Sequence, residues 1–238
     1  MNQLKNQRKS LKILAFDVFG TVVDWHGSIA NEIDALNIGI PGHEFANNWR
    51  KGYSPAMAQV RSGKLPWTKI DDLHRMILNN LLEEYGVTKL SEEEKINLNL
   101  VWHRLNPWPD TVEGLNRLKQ QFTIVTLSNG NLSLLSNMAK RAQLPWDCIL
   151  SAEIFHHYKP DPETYLGVCK IFDAPPEQMM LVAAHEDDLL ASQACQTQTA
   201  YIHRPLEFGP FVPKSIGELS RFDYEALDLI DLAKQLGC

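Results

Sequence analysis

The stretch that decides the fold is LKILAFDVFGT, residues 11–21. Its first six residues are mostly apolar, Asp17 follows them, and a Gly-Thr turn comes three residues later. A short apolar run that ends in turn-forming residues is typical of a buried strand. In an open parallel sheet, ligands bind outside the carboxyl ends of the strands. We therefore expect Asp17 at a strand end that faces a cleft, although an aspartate in this place can also be a simple capping residue.

The strand signal stops after Thr21, and helical patterns follow as far as residue 106. Four helices are predicted there: 28–36, 43–60, 67–85 and 91–102. Gly52 and Pro55 interrupt the second of them. Strands and helices then alternate. The predicted strands are 122–127, 148–150, 179–182 and 200–202, and the predicted helices are 111–120, 131–142, 162–172 and 187–194.

This alternation predicts right-handed crossovers and a parallel sheet. We expect an α/β fold in which residues 1–23 and 106–238 form a Rossmann-like core. Residues 24–105 are expected to form a helical cap that is inserted after the first strand and closes over Asp17. Residues 1–10 are polar and are expected to be a frayed tail.

Composition excludes several classes of function. The chain has 238 residues, a net charge of −6 and a pI near 5.7, which leaves no basic footprint for nucleic acid. It shows neither an apolar run long enough to span a membrane nor an export signal. Its four cysteines lack metal-ligand or redox spacing and are expected to stay reduced. The sequence thus predicts a cytoplasmic protein without nucleic-acid or membrane partners.

Two polar stretches are candidates for the same cleft as Asp17. Ser128 and Asn129 follow the predicted strand 122–127, where a hydroxyl and an amide can hold an anion with neutral donors. Ser-Asn-Gly is equally typical of a turn. The second candidate is Lys159, which precedes a proline that favours an extended backbone at the lysine. The alternative is a solvated side chain, which is usual for a lysine before a helix.

The pattern Asp17-x-x-x-Thr21 after an apolar strand resembles the nucleophile motif of the haloacid dehalogenase superfamily. In the phosphatase branch the residue two after the nucleophile is usually a second aspartate. Here it is Phe19, and the run FDVFGTVVD, residues 16–24, is similar to the (S)-2-haloacid dehalogenase (type II haloacid dehalogenase) branch. The all-helical segment matches in size and place the cap of that branch.

The resemblance implies roles for further residues. It makes Asp17 the nucleophile, Thr21 the residue that fixes its loop, and Lys159 the ammonium beside it. The Leu-Ser-Asn-Gly element makes Ser128 and Asn129 ligands of the substrate carboxylate and halide. Phe19, Tyr165 and the cap residue Arg50 are likewise implied to bind substrate or halide, although Arg50 can also be a surface arginine.

The stretch Leu181–Asp188 departs from the family pattern. Asp188 matches the carboxylate that closes this loop, but Ala183 and His185 stand where many dehalogenases have serine and asparagine. His185 is expected to position the hydrolytic water or accept its proton, or else to orient Lys159 or a carboxylate.

The resemblance therefore implies hydrolytic dehalogenation of short 2-haloalkanoic acids to 2-hydroxy acids, through an ester on Asp17. No cofactor or metal is expected, because Phe19 and Ala184 replace the two aspartates that magnesium-dependent phosphatases have there. The alternatives are such a phosphatase, or a non-catalytic small-acid-binding protein on this fold. Related enzymes are often homodimers, and a homodimer is possible here.

Overall fold

The computed structural model describes residues 11–212, 214 and 217–238, so the tail predicted for residues 1–10 lies outside the described part. Eight strands occur in chain order: β1 (Ile13–Phe16), β2 (Val23–Asp24), β3 (Asn106–Pro107), β4 (Thr123–Ser128), β5 (Cys148–Ser151), β6 (Met179–Ala183), β7 (Gln198–Ile202) and β8 (Tyr224–Ala226). Six of them form a fully parallel sheet in the order β5-β4-β1-β6-β7-β8. This sheet and its flanking helices confirm the predicted α/β class.

Eleven α-helices lie within the described residues. They are α1 (Trp25–Leu36), α2 (Gly42–Lys51), α3 (Tyr53–Arg61), α4 (Ile70–Glu84), α5 (Glu92–Asn99), α6 (Thr111–Leu118), α7 (Leu132–Ala142), α8 (Ala152–Phe155), α9 (Pro162–Ile171), α10 (Glu186–Ala194) and α11 (Leu229–Leu236). Short 3₁₀ turns cover Leu100–Arg104, Pro176–Gln178 and Leu219–Arg221. No helix in these ranges is both long and apolar enough to cross a membrane.

The central strand β1 is buried on both faces, which explains its nearly continuous apolar sequence. Leu14 and Phe16 belong to one hydrophobic cluster, whereas Ile13 and Ala15 belong to a second one on the opposite face. Because side chains alternate along a strand, four residues are enough to anchor both layers. Residue 17 then emerges at the carboxyl end of the innermost strand.

The helical segment predicted as a cap lies between β2 and β3, which pair antiparallel as a two-stranded ribbon. The ribbon joins Val23 to Pro107 and Asp24 to Asn106. We propose that it marks the boundary between the core and a cap over residues 24–105. The sequence did not reveal this ribbon, because two-residue strands carry no periodic signal.

The helix predicted over 43–60 is two helices, α2 and α3, that meet at Gly52. A Cβ atom on Gly52 would lie 2.5 Å from Cγ2 of Ile77 on α4, so a side chain does not fit at this junction. Pro55 lies in the first turn of α3, where its missing N–H costs little. A capping box precedes α5, with both hydrogen bonds between Ser91 and Glu94 present.

The last strand and the last helix of the chain were not predicted from the sequence. After β7 the chain adds the edge strand β8, parallel to β7, and the amphipathic helix α11. Gly114 of α6 approaches α11 closely, since a Cβ there would lie 2.6 Å from the Cβ of Leu229. The loop between β7 and β8 also carries Glu207, which contacts His185 behind the cleft.

Candidate active site

Asp17 leaves β1 at its carboxyl end and lies at the bottom of a cleft, with 6% of its surface exposed. Its backbone N–H donates to the carbonyl of Val182 on β6. Lys159 Nζ donates to Oδ1 at 2.8 Å, Thr21 Oγ1 donates to Oδ2 at 2.7 Å, and His185 Nδ1 lies 3.1 Å from Oδ2. The carboxylate is thus held at both oxygens.

These partners keep Asp17 ionised. Burial alone would raise the pKa of the Asp17 carboxyl, but Lys159 and His185 outweigh it and hold the pKa well below its ordinary value. An ionised carboxylate is the form that can attack carbon, so the site can present a nucleophile at neutral pH.

Lys159 bridges two carboxylates. Its Nζ donates to Asp17 and, at 2.5 Å, to Oδ2 of Asp188 in the first turn of α10. Burial would lower the pKa of the Lys159 ammonium, but the two negative charges raise it. Its backbone N–H donates to Oδ1 of Asn129 at 2.7 Å, which ties this loop to the end of β4.

Asp188 is held from a second side by Tyr165, whose hydroxyl donates to Oδ1 at 2.5 Å. Burial raises the pKa of the Asp188 carboxyl, and the neighbouring Asp17 charge adds to this, against the opposing effect of Lys159. Asp188 is therefore a carboxylate whose environment favours gaining a proton, which suits a general base.

Thr21 fixes the loop after β1. Its hydroxyl accepts from the backbone N–H of Ala184 at 2.9 Å while it donates to Asp17. Its carbonyl accepts from Nε of Arg204, which forms a buried bidentate pair with Asp110 at 2.8 and 2.7 Å. The predicted role of Thr21 in fixing the loop stays a prediction that these bonds support.

Sequence reasoning missed Glu207, which lies behind His185. His185 Nε2 is 2.6 Å from Oε1 of Glu207, and Lys214 Nζ donates to Oε2 at 2.5 Å. Glu207 is fully buried in the loop after β7. No motif marks it, because it is separated from Asp17 by most of the chain and has only loop residues around it.

The cleft has a volume of about 250 Å³ and collects residues from the carboxyl ends of the sheet strands and from helices α2 and α3. A cavity of this size fits a molecule of a few heavy atoms. It is lined by Asp17, Phe19, Arg50, Tyr53, Ser54, Met57, Arg61, Asn129, Lys159, Pro160, His185, Asp187 and Asp188. Eight of the predicted site residues thus meet there or bond directly to Asp17: Asp17, Phe19, Thr21, Arg50, Asn129, Lys159, His185 and Asp188.

Arg50 extends from α2 into the cleft with its guanidinium carbon 4.3 Å from the ring centre of Tyr53. Such stacking fixes the plane of the guanidinium. Its Nη1 atom is buried and has no hydrogen-bond partner among the described residues. Arg50 also lines the cleft, and a guanidinium held in this way is suited to an anion.

Phe19 provides an apolar wall of the cleft. Its ring packs edge-on against Trp102 at a centroid distance of 5.6 Å, and it lies 3.0 Å from the position of a Cβ on Gly130. Residue 130 must be small for this packing. Residue 19 thus gives this part of the cleft an apolar ring.

Two predicted binding residues do not line the cleft. Ser128 is buried at the end of β4, and its hydroxyl accepts from the backbone N–H of Gly130 at 3.1 Å, closing a turn. Tyr165 lies on α9 behind Asp188. Both predictions came from position along the chain, which does not reveal whether a side chain faces the cleft.

The cleft also contains residues of α3 that sequence reasoning did not single out, among them Tyr53, Met57 and Arg61. Arg61 donates to the carbonyls of Tyr158 and Lys159 and pairs with Asp161 at 3.3 Å. It therefore connects α3 to the loop that carries the lysine. The helical spacing of residues 53, 57 and 61 was the available signal, since it places them on one face of α3.

In the described ranges, no group of three or more His, Cys, Asp or Glu side chains is arranged to hold a metal ion. The positively charged partners of Asp17 are two side chains, Lys159 and His185.

The parallel sheet places an ion-paired aspartate at the end of its central strand, inside a small cleft. This arrangement suits an α/β protein in which a carboxylate acts as the nucleophile. The chain belongs to the family of haloacid dehalogenase-like hydrolases, whose family model matches residues 11–195.

Individual relatives agree with this membership. The (S)-2-haloacid dehalogenase 4A of Burkholderia cepacia is 27% identical over 203 residues, which cover 82% of this chain and 84% of that protein. The solved structure of the L-2-haloacid dehalogenase PA0810 is 44% identical, with a TM-score of 0.91 and coverage of 95% and 100%. The defluorinating L-2-haloacid dehalogenase Rha0230 is 40% identical, with a TM-score of 0.91 and coverage of 96% of each chain.

Proposed function

We propose that the chain hydrolyses short 2-haloalkanoic acids to 2-hydroxy acids through an ester on Asp17. The observation that carries this proposal is the Asp17 carboxylate, which is kept ionised in a cleft of about 250 Å³ beside an unpaired Arg50 nitrogen. The relatives at 40–44% identity, which are L-2-haloacid dehalogenases, support it.

The first step is displacement at carbon. Asp17 attacks the carbon that bears the halogen from the face opposite the leaving group, once its oxygen is held about 3–3.5 Å away. The halide leaves toward Arg50 and Asn129, and Phe19 supplies an apolar wall for the carbon–halogen bond. Ser128 then acts through the turn that it closes rather than by contact with the substrate carboxylate.

In the second step, water attacks the ester and releases the 2-hydroxy acid. Dividing one difficult displacement into two steps is the advantage of covalent catalysis. Asp188 is positioned to accept the proton of water, because Lys159 and Tyr165 orient it and burial raises the pKa of its carboxyl.

A halide-release screen tests this function. The substrates are fluoro-, chloro- and bromoacetate and both enantiomers of 2-chloropropionate, with an aryl phosphate plus magnesium as the competing assay. The names of the relatives favour turnover of the (S) enantiomer. Phosphate release without halide release favours a phosphatase, and binding of haloacids without turnover favours a small-acid-binding protein.

Activity on a working haloacid is expected to survive exhaustive EDTA treatment unchanged. Phe19 and Ala184 provide no carboxylate ligands, and Lys159 already supplies the positive charge at Asp17. The measurement is the halide-release rate with EDTA and after magnesium is restored. A strict magnesium requirement would be evidence for the phosphatase alternative.

Arg50→Lys is expected to lower turnover at least about tenfold, equivalent to roughly 1.4 kcal/mol of barrier, because the planar fork is lost. Arg75→Lys is the matched control, since Arg75 is also in the helical segment but pairs with Glu92 away from the cleft. Halide-release rates decide the outcome. If Arg50→Ala equals the wild type on every active haloacid, Arg50 does not receive the halide.

A cytoplasmic location and a homodimer also remain proposals. Light scattering of the purified chain measures the second directly.

A further inference from the structure

His185 lies between two carboxylates and contacts one with each ring nitrogen. Nδ1 is 3.1 Å from Oδ2 of Asp17, and Nε2 is 2.6 Å from Oε1 of Glu207. An ionised carboxylate can only accept hydrogen bonds, whereas a neutral imidazole has one donor and one acceptor nitrogen. When both carboxylates are ionised, both contacts are satisfied only if both nitrogens carry a proton, which makes His185 an imidazolium.

Glu207 is built into the protein as a fixed charge. It is fully buried, and a Cβ on Gly20 would lie 2.3 Å from its Oε1, so the loop after β1 packs directly against it. Lys214 Nζ donates to its Oε2 and also to the carbonyl of Ala184 at 2.6 Å. A buried carboxylate is tolerated when it is paired in this way.

The two oxygens of Asp17 are not equivalent. Oδ2 accepts from Thr21 and His185, which uses both of its lone pairs, whereas among the described residues Oδ1 accepts from Lys159 alone. A lone pair therefore remains free on Oδ1. That is the oxygen able to form a new bond to carbon.

We propose that Glu207 holds His185 as a doubly protonated donor to Asp17 Oδ2, so that Oδ1 attacks the substrate and Oδ2 carries the charge that develops when water attacks the ester. Glu207 is then a positioning residue that acts through His185. This inference rests on the proposed function and assigns to His185 the role of an electrostatic stabiliser, not of a base.

The hydrolytic step balances with these assignments. The water oxygen bonds to Cγ of the Asp17 ester, its proton passes to Asp188, and the carbonyl electron pair moves onto Oδ2. Thr21 and His185 then donate to this oxyanion, as donors do in an oxyanion hole. When Oδ2 re-forms its double bond, the Cγ–Oδ1 bond breaks, and Oδ1 leaves as the product hydroxyl with the proton from Asp188. The second proton of the water, left on the new Asp17 carboxyl oxygen, passes to solvent and restores the carboxylate.

The charges around His185 favour its protonated form. Burial would lower the pKa of the imidazole, but the charge of Glu207 and the hydrogen bonds to Asp17 and Glu207 raise it to about 10. Lys159 and Lys214 lie behind the two carboxylates, and Asp187 and Asp188 lie in the same cleft. Because the pKa is raised, the donor is present across neutral pH and is lost only as the pH rises through about 10.

The protonation state is measured directly by NMR of the ¹⁵N-histidine-labelled protein without substrate. The His185 signals, assigned by their loss in His185→Asn, are expected to show two protonated nitrogens from pH 6 to 9. A neutral His185 at pH 7 would overturn the proposal. This result is independent of whether any haloacid is turned over, so it separates failure of the inference from failure of the proposed function.

Glu207→Gln removes the fixed charge with little change of shape. We expect the His185 pKa to fall into the assay range, so that the halide-release rate near pH 6 stays close to wild type and drops at least about tenfold by pH 9. Ester-bound protein is expected to accumulate at the higher pH. Glu225→Gln is the matched control, since Glu225 pairs with His203 at 2.7 Å on the surface.

If the single variant folds poorly, the double variant Glu207→Gln/Lys214→Met avoids a buried unpaired ammonium. Glu207→Asp is expected to restore part of the halide-release rate that Glu207→Gln loses at high pH. A Glu207→Gln profile that matches wild type at every pH would contradict the proposal. So would a uniform loss of rate at all pH values with an unchanged His185 signal, which is the outcome of a merely structural role.

Discussion

Asp17→Asn is expected to abolish halide release from every haloacid that the wild type turns over, a loss of at least about a thousandfold. A neutral amide is a poor nucleophile and cannot form the carboxylic ester. The fold is expected to persist, because the change is nearly isosteric and Lys159 keeps its contact with Asp188. The measurements are halide release and a thermal melt of the variant.

Intact mass controls for deamidation of the new asparagine back to aspartate. A folded Asp17→Asn protein that has kept its amide and still turns over haloacids would remove Asp17 from the mechanism.

Asp188→Asn is expected to slow hydrolysis of the ester more than its formation, with an overall loss of about a hundredfold or more for a missing general base. The amide cannot accept the proton of water, while Asp17 Oδ1 keeps its free lone pair. Incubation with a haloacid followed by intact-mass analysis is then expected to show a carboxyalkyl adduct. Glu186→Gln is the matched control, because Glu186 lies two residues earlier on α10 and pairs with Arg221 at the surface.

An Asp188→Asn variant with wild-type rates and no adduct would show that another group takes the proton. The same analysis on His185→Asn is expected to show an adduct as well. Loss of the oxyanion donor slows ester hydrolysis, although Asp188 stays in place as the base.

Local motifs predicted the sheet and its central residues, because they depend on short stretches of chain. An apolar run followed by Asp17 was enough to place the nucleophile candidate at the end of β1, and strand–helix alternation was enough to predict the parallel sheet. Lys159 was predicted from its motif, and the structure brings its ammonium to Oδ1 of Asp17. Each of these signals lies within about ten residues of the group that it places.

Contacts between distant loops could not be predicted in this way. Glu207 reaches His185 only because β6 and β7 are neighbours in the sheet, so that the loops at their carboxyl ends meet. Nothing in its own sequence surroundings distinguishes it from the other glutamates. Ser128 shows the opposite case, since its motif was visible but its hydroxyl is used within the turn.

The proposed mechanism depends most directly on the covalent ester at Asp17. A single turnover in H₂¹⁸O tests whether this ester forms. With enzyme in excess over a haloacid, water attacks Cγ, and the product hydroxyl comes from Oδ1. The account predicts that ¹⁸O appears in the peptide that contains Asp17 and is absent from the first equivalent of 2-hydroxy acid. Incorporation of ¹⁸O into that first product, with Asp17 unlabelled, would show that water displaces the halide directly and would contradict the account.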